Sequence, residues 1–258
     1  MRWLSGRRAD RNDVATSHAM QSTLTLPIDE EVPIPVGTDS VYANLAIPLE
    51  PRGFVIFAHG SGSSRFSPRN ASVARALHHA QLGTLLLDLL TPAEERSDAY
   101  TSEHRFDIRL LARRLIVATE WAKTQPSLAE APIGYFGAST GSAAALIAAA
   151  ELGETVAAVV SRGGRPDLAG PALLRVTAAT LLIVGGTDFG IIELNELAYE
   201  ALQSEKDLAI VPGATHLFEE PGALGEVCAL SESWFGRHFA RTRRVVPESC
   251  ERRRRTAE

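Results

Sequence analysis

Cysteine is scarce in this chain of 258 residues, which contains only Cys228 and Cys250. Two thiols cannot form the disulfide framework typical of small secreted domains, so a reducing, intracellular environment is the simpler interpretation. No apolar run reaches the roughly 18 residues that a membrane-spanning helix needs, and no apolar segment of a secretory signal follows the charged N-terminus. We therefore expect a cytoplasmic protein that does not bind membranes.

The chain also lacks a large excess of charge of either sign. Its formal net charge is -5 at pH 7, and 45% of its residues are hydrophobic. This mild acidity argues against a nucleic-acid-binding protein with a basic surface. The composition is that of a globular protein, and the length suits one large α/β domain. The expected partners are a small-molecule substrate and water, in a monomer or a homodimer.

The two ends of the chain differ in composition from its middle. Residues 1–20 are polar and aperiodic, and residues 241–258 are basic and include an arginine run at 252–255. Both segments are predicted to be disordered, the first as a leader and the second as a solvated tail. Residues 21–240 are predicted to form the folded domain.

Short apolar runs alternate with amphipathic segments along the middle of the chain. Several runs are apolar at every position, which is typical of strands covered on both faces. The predicted strands are 41–47, 53–59, 83–90, 131–137, 156–161, 180–186 and 207–213, with a possible antiparallel edge strand within 22–36. The predicted helices are 70–81, 105–123, 191–203 and 223–239. The alternation predicts an α/β fold with a mainly parallel, doubly wound sheet flanked by helices, whose ligands bind at the carboxyl ends of the strands.

A G-x-S-x-G motif at residues 137–141 lies between a predicted strand and an alanine-rich helical segment. A serine nucleophile needs a turn so tight that its Oγ projects from the edge of the sheet. Gly137 and Gly141 supply the small residues that let strand and helix approach closely there. The motif also arises by chance in glycine-rich loops, but its strand–turn–helix setting favours Ser139 as a nucleophile.

His216 is the candidate base among the seven histidines. A serine hydroxyl is a weak nucleophile unless a neighbouring base takes its proton during attack. His216 follows a predicted strand and comes after both Ser139 and a candidate acid, which is the order found in α/β-hydrolases. His59 is interpreted as a structural hydrogen-bonding residue.

Two aspartates compete for the role of the acid that orients the histidine. Asp188 directly follows the predicted strand 180–186, whereas Asp167 lies farther from its strand, in the preceding loop. The alternative for Asp167 is a salt bridge or a turn cap with Arg162 or Arg165. Position at the strand end favours Asp188.

The oxyanion that forms during attack needs backbone N–H donors. The amide of Thr140, which follows the nucleophile, is the first expected donor. Ser61, in the glycine-rich loop 59–64, is the second, with Gly62 as the next choice. This loop matches neither a Walker motif nor a dinucleotide-binding motif, so it is not expected to bind phosphate, and neither cysteine lies in a metal-ligand motif.

Several arginines lie on loops at the carboxyl ends of the strands, where they could bind an anionic group of the substrate. Arg65 and Arg162, together with Gly62, are the candidate substrate-binding residues. The alternative is that the arginines pair with nearby carboxylates. The arginines are Arg65, Arg69, Arg162 and Arg165, and the candidate carboxylates are Asp167, Glu94, Glu95, Glu219 and Glu220. The segment 163–176 is too short for a helical cap, so an open site is expected.

Four motifs in this order resemble the dienelactone hydrolase-like branch of the α/β-hydrolases. They are HGSGSS, GASTG, GGTD and GATH, and the resemblance covers residues 25–240. It implies a compact, cap-free, cofactor-independent hydrolase of esters or lactones. Dienelactone hydrolase itself uses a cysteine nucleophile, whereas position 139 is serine, and this departure favours a general carboxylesterase. Some relatives in this branch are fused to a phosphoribosyltransferase-like domain, for which residues 1–20 are too short.

The expected activity is the hydrolysis of carboxylic esters through an acyl-enzyme on Ser139. A thioesterase, a lactone hydrolase or an acyltransferase would use the same residues and would differ in its leaving group or acceptor. A serine peptidase is the weaker alternative, since nothing marks a peptide-binding domain. A non-catalytic binding protein with this fold is the alternative from another class, but it would leave the three catalytic residue types unexplained.

Overall fold

The computed structural model describes residue 26 and residues 28–245, with side chains through residue 242. The predicted leader at 1–20 and the part of the tail after residue 245 lie outside the described residues. The strands are β1 (Ile28–Val36), β2 (Asp39–Ile47), β3 (Gly53–Ala58), β4 (Leu82–Leu87), β5 (Ile133–Ala138), β6 (Val156–Arg162), β7 (Ala179–Gly185) and β8 (Lys206–Val211). The helices are α1 (Pro68–His79), α2 (Pro92–Thr101), α3 (Ile108–Thr124), α4 (Thr140–Leu152), α5 (Phe189–Ala201) and α6 (Ala223–Val245).

All eight strands belong to one sheet with the order β1-β2-β4-β3-β5-β6-β7-β8. β2 pairs in antiparallel fashion with β1 and with β4, and every pair from β4 through β8 is parallel. The predicted mainly parallel sheet with an antiparallel edge is therefore confirmed. Parallel order brings the carboxyl ends of β3, β5, β6, β7 and β8 to the same edge of the sheet.

Both faces of the sheet are covered by helices, which explains why the central strands are buried at almost every position. All six residues of β3 are buried. Ile56 packs in the core shared with α3, α4 and α5, whereas its neighbours Val55 and Phe57 pack in the core shared with α1 and α6. Successive strand residues point to opposite faces, so a strand between two helical layers must be apolar throughout.

The main differences from the sequence prediction concern β4, α2 and α6. β4 ends at Leu87, before the predicted residue 90, and the side chain of the next residue, Asp88, accepts a hydrogen bond from the Arg65 amide. The helix α2 was not predicted, although Thr91 and Glu94 form a capping box before it. α6 continues past residue 240 to Val245, so the helix extends into the segment predicted to be a disordered tail.

The connections that follow the carboxyl ends of the parallel strands are short. β6 and β7 are joined by a 3-10 segment at Pro166–Arg175, which is interrupted at Gly170. No large cap domain lies over the carboxyl ends of the described strands. Within the described part of the chain, no helix combines the length and the apolar character needed to cross a bilayer.

Candidate active site

Ser139 occupies a strained turn between β5 and α4. Its φ of 50° and ψ of -123° lie in a region that residues with a side chain rarely adopt. The turn is held by hydrogen bonds to the Ser139 carbonyl from the amide of Ser142 at 3.1 Å and from its hydroxyl at 2.7 Å. The surrounding structure therefore holds the serine at the tip of the turn, as a nucleophile elbow requires.

The two motif glycines lie where strand and helix pass closest to one another. A Cβ atom at Gly137 would lie 2.8 Å from the Ser142 nitrogen, and one at Gly141 would lie 2.5 Å from the His59 carbonyl oxygen. Both neighbours are backbone atoms, which cannot move aside cheaply. Any larger residue at these positions would push Ser139 away from the sheet edge.

His216 and Asp188 are hydrogen-bonded to one another. The Nδ1 atom of His216 lies 2.7 Å from Oδ2 of Asp188, and the His216 side chain is 36% exposed. An ionised carboxylate only accepts hydrogen bonds, so Nδ1 carries the proton and Nε2 keeps a free lone pair. The imidazole is thereby held in the tautomer that a general base needs.

The loops that carry Asp188 and His216 are packed tightly against one another. The amide and the hydroxyl of Thr187 both donate to the Ala214 carbonyl, at 3.0 and 2.8 Å. A Cβ at Gly185 would lie 2.5 Å from the Ala214 carbonyl oxygen, so glycine is needed for this approach. The spacing of the acid and the histidine therefore depends on backbone contacts as well as on their own hydrogen bond.

Asp167, the competing acid, lies in a salt bridge instead. Its two carboxylate oxygens accept hydrogen bonds from Nε and Nη2 of Arg165 at 2.9 and 2.8 Å. The Arg165 amide in turn donates to the Ser139 carbonyl at 3.1 Å. The pair of Asp167 and Arg165 therefore supports the turn that carries Ser139, and Asp188 is the aspartate that contacts His216.

The glycine-rich loop after β3 lies directly above Ser139. A Cβ at Gly60 would lie 3.0 Å from Cβ and 3.7 Å from Oγ of Ser139. The Ser61 amide donates to the Thr140 hydroxyl at 2.9 Å, so in this structure it is hydrogen-bonded to protein. The Thr140 amide stands in the first turn of α4, where an N–H has no partner within its own helix. The two predicted donors are thus brought together on one side of Ser139.

His59 holds this loop in place through both of its ring nitrogens. Nδ1 donates to the Gly60 carbonyl at 2.9 Å, and Nε2 accepts from the Leu89 amide at 3.2 Å. Burial lowers the pKa of His59 below its ordinary value, and the bond to Gly60 opposes this only in part. His59 is therefore a neutral imidazole whose two nitrogens are both hydrogen-bonded, which fits a structural role in holding the loop.

A cavity of about 250 Å³ contains Ser139 and His216. Residues from the loop after β3, from the start of α1 and from the end of β6 complete its wall. Two of these residues, Ser67 and Asn70, were not identified from the sequence. They lie at the start of α1, where Ser67 caps the helix by accepting from the Asn70 amide. The Ser-x-x-Asn pattern after Phe66 carries no catalytic signature, so only the tertiary fold shows that it borders the site.

Arg65, an expected substrate-binding residue, does not line the cavity that contains Ser139. Its guanidinium pairs with Asp88 and with Glu31, and Nε donates to Asn44 at 3.2 Å. The charge is thus neutralised by two carboxylates from β1 and from the turn after β4. Arg65 ties the loop after β3 to the antiparallel edge of the sheet.

Arg162, the other candidate arginine, lies in the wall of the Ser139 cavity. It ends β6, and its carbonyl accepts a hydrogen bond from the Ser139 amide at 3.2 Å. The residue is only 6% exposed, and its guanidinium lies 5.9 Å from the centroid of the Phe218 ring. Burial, followed by the charge of Arg69, lowers the pKa of Arg162 to about 10.

Gly62 faces a second, larger cavity of about 530 Å³ on the far side of the same loop. The two cavities share Gly60, Ser61, Ser63 and Ser67. Gly62 has a φ of 73°, which a glycine adopts without strain. Among the described residues, no cluster of three or more histidine, cysteine or acidic side chains is placed to hold a metal ion.

The geometry can be compared with that of known proteins. No family model matches the chain. The chain is similar to the solved structure of a dienelactone hydrolase from Anabaena variabilis, with 56% identity, 83% of this chain and 99% of that chain covered, and a TM-score of 0.81. It shares the fold of Est1E from Butyrivibrio proteoclasticus at 15% identity and a TM-score of 0.68, over 81% of this chain and 99% of that one.

Two curated relatives come from strains of Mycobacterium tuberculosis. Each carries the name "putative phosphoribosyl transferase" and is 54% identical over 233 residues. The match covers 90% of this chain and 52% of each relative, so the chain spans about half the length of the curated relatives it matches.

Proposed function

The chain belongs to the dienelactone hydrolase-like branch of the α/β-hydrolases and is an enzyme of the hydrolase kind, and we propose that it hydrolyses carboxylic esters with Ser139 as nucleophile. The observation that carries this proposal is the 2.7 Å hydrogen bond between His216 and Asp188, with His216 in the same cavity as Ser139. A histidine held by a carboxylate beside a serine on a strained turn is the arrangement that activates a hydroxyl.

The proposed reaction has two halves. Ser139 Oγ attacks the ester carbonyl carbon while Nε2 of His216 takes its proton, and the amide of Thr140 holds the oxyanion, joined by the amide of Ser61 once that amide has released the Thr140 hydroxyl. The bond to the alcohol breaks as His216 returns the proton to the leaving oxygen, which leaves an acyl group on Ser139. Water then attacks the acyl-enzyme with His216 as base, and the acid product departs.

Lactone hydrolysis is the second candidate, because the Anabaena variabilis relative is named a dienelactone hydrolase and is 56% identical. A lactone is an internal ester, so the same residues would open it. Comparing kcat/KM for dihydrocoumarin with that for phenyl propionate, its open-chain counterpart, separates the two. A much higher kcat/KM for dihydrocoumarin would favour lactone hydrolysis.

The name of the Mycobacterium tuberculosis relatives concerns proteins about twice as long as the matched region. That name therefore also covers a part of each relative that this chain does not match. The hydrogen bond between His216 and Asp188, in a cavity that also contains Ser139, supports acyl transfer for this region, and that is the activity we propose.

The test uses p-nitrophenyl esters of graded chain length together with a fluorophosphonate probe. Wild-type protein should release p-nitrophenol and become labelled, whereas Ser139→Ala should do neither. Absence of both turnover and labelling in the wild type would support a non-catalytic binding protein. Labelling without turnover of these esters would direct the search to thioesters and lactones.

A further inference from the structure

Arg162 is a buried cation without a partner in a cavity that also contains Ser139. Its Nε and Nη1 atoms are buried, and no described residue accepts a hydrogen bond from them. The residue is 6% exposed. A buried charge without a partner is energetically costly. Such a charge therefore points to a ligand that supplies the missing partner.

The geometry brings Arg162 close to the reacting serine. Residue 162 is paired with Ala138 in the sheet, one position before Ser139, and neighbouring strands lie about 4.8 Å apart. The backbone bond from Ser139 to Arg162 fixes this spacing. Arg162 and Ser139 also line the same cavity of about 250 Å³, so one small molecule within it can contact both residues.

A second arginine adds positive charge to the same cavity. Arg69, in the first turn of α1, lines it together with Asn70. Its Nη1 lies 3.1 Å from Glu219, but its Nε atom is buried and has no partner among the described residues. The first turn of α1 contains no acidic residue, so the positive end of the helix dipole adds to the field of the two guanidinium groups.

The nearby carboxylates are engaged elsewhere. Asp167 is held by Arg165 and Glu219 by Arg69, and Oε1 of Glu220 accepts from the Thr215 hydroxyl at 2.6 Å, while its buried Oε2 has no partner among the described residues. Asp188 is held by His216. Among the described residues, none of these groups neutralises Arg162.

We propose that Arg162, assisted by Arg69, forms an anion-binding subsite, and that the substrates are small esters that carry a carboxylate. This inference rests on the ester hydrolysis proposed above and names its substrate class. The cavity of about 250 Å³ limits the distance between the carboxylate and the scissile carbonyl to a few bonds. Half-esters of short dicarboxylic acids and acyl esters of short hydroxy acids both meet this description.

Two isosteric pairs of esters test the proposal by pH-stat titration at pH 8. Monomethyl succinate is compared with methyl 4-methylpentanoate, and acetoxyacetate with isobutyl acetate, because an isopropyl group has the shape of a carboxylate without its charge. In at least one pair, kcat/KM should favour the anionic ester by about 10-fold to 100-fold, as charge-assisted hydrogen bonds to a guanidinium provide. The pair that shows the preference identifies the side of the ester that carries the anion.

In Arg162→Gln, kcat/KM for the anionic ester should fall to about that for the neutral ester, which is still hydrolysed, so the ratio should approach one. Arg69→Gln should reduce the ratio by less. Arg75→Gln is the matched control, because Arg75 is exposed on the same helix and does not line the cavity. Equal or faster hydrolysis of both neutral esters by the wild type would overturn the subsite and leave ester hydrolysis intact.

Binding separates the subsite from the chemistry. Monomethyl succinate should bind to Ser139→Ala, measured by calorimetry, and lose at least tenfold in affinity when Arg162→Gln is added. If the wild type hydrolyses none of the four esters and no p-nitrophenyl ester, the proposed function fails, and this titration alone decides the subsite. Binding that does not depend on Arg162, or no binding, overturns it.

Discussion

The Ser61 amide donates a hydrogen bond to the Thr140 hydroxyl at 2.9 Å, which joins the two residues expected to hold the oxyanion. One lies on the loop after β3 and the other begins α4, and they are 79 positions apart. The side chain of Thr140 thus sets the position of the Ser61 amide, while its own amide remains available to a ligand. Thr140 has a positioning role in addition to the donor role that its place after Ser139 predicts.

Removal of the Thr140 hydroxyl should impair turnover more than substrate binding. In Thr140→Val the loop loses its link to α4 and the Ser61 amide loses its acceptor, so we expect kcat to fall by about 10-fold or more with a smaller change in KM. Thr140→Ser keeps the hydroxyl and should restore most of the rate. Steady-state kinetics on p-nitrophenyl acetate measure this, and equal kcat for the valine variant would remove the positioning role.

The two aspartates should differ sharply when each is changed to asparagine. Asp188→Asn leaves the shape of the site intact but no longer selects the tautomer of His216, so kcat should fall by about a thousandfold or more. Asp167→Asn weakens only the bond to Arg165 and should cost less than about tenfold. The kcat values of the two variants decide the assignment, which the opposite ranking would reverse.

Gly141 should tolerate no side chain. A Cβ there would lie 2.5 Å from the His59 carbonyl oxygen, so Gly141→Ala should destabilise the fold by about 2 kcal/mol or more, or displace Ser139 and abolish activity. Gly236→Ala is the matched control, since Gly236 is exposed within α6 and has open space around it. That change should stabilise the protein by about 0.5–1 kcal/mol. Urea unfolding of both variants measures the contrast, and equal stability would show that the close approach at Gly141 is not obligatory.

We expect Arg162 to lower the free energy of unfolding, although it contributes to the proposed substrate-binding site. Since burial lowers the pKa of Arg162 from its ordinary value to about 10, the folded state bears the cost of a buried cation at every pH below about 10. Arg162→Met should therefore stabilise the protein by about 1–3 kcal/mol at pH 8.

The pH dependence of this gain has a definite sign. The unfolded chain binds the proton more tightly than the folded one, so wild-type stability rises relative to Arg162→Met as pH increases from about 10 towards 12.5. Urea unfolding at pH 8 and pH 10.5 measures the difference. A variant less stable than the wild type at pH 8 would show that the packing of Arg162 on Phe218 outweighs the cost of its charge.

The sequence alone determined the layers of the fold and the three central residues of the candidate site. Apolar runs such as β3 can be recognised because a strand between two helical layers is buried at every position. The G-x-S-x-G motif and the order of Ser139, Asp188 and His216 are local signals at strand ends, and parallel strands bring their ends to one edge. α2 could also have been found from its capping box.

Tertiary structure decided which arginine faces the site. Arg65 and Arg162 have the same local description, a charged residue on a loop at a strand's carboxyl end. Only the fold shows that Asp88 and Glu31 neutralise the first, whereas the second is buried beside Ser139 without a partner. The side-chain role of Thr140 and the presence of Asn70 in the cavity wall depend on the same long-range packing. Contacts between residues far apart in the chain leave no trace in local periodicity, because each strand and helix can form without specifying what lies across the sheet edge.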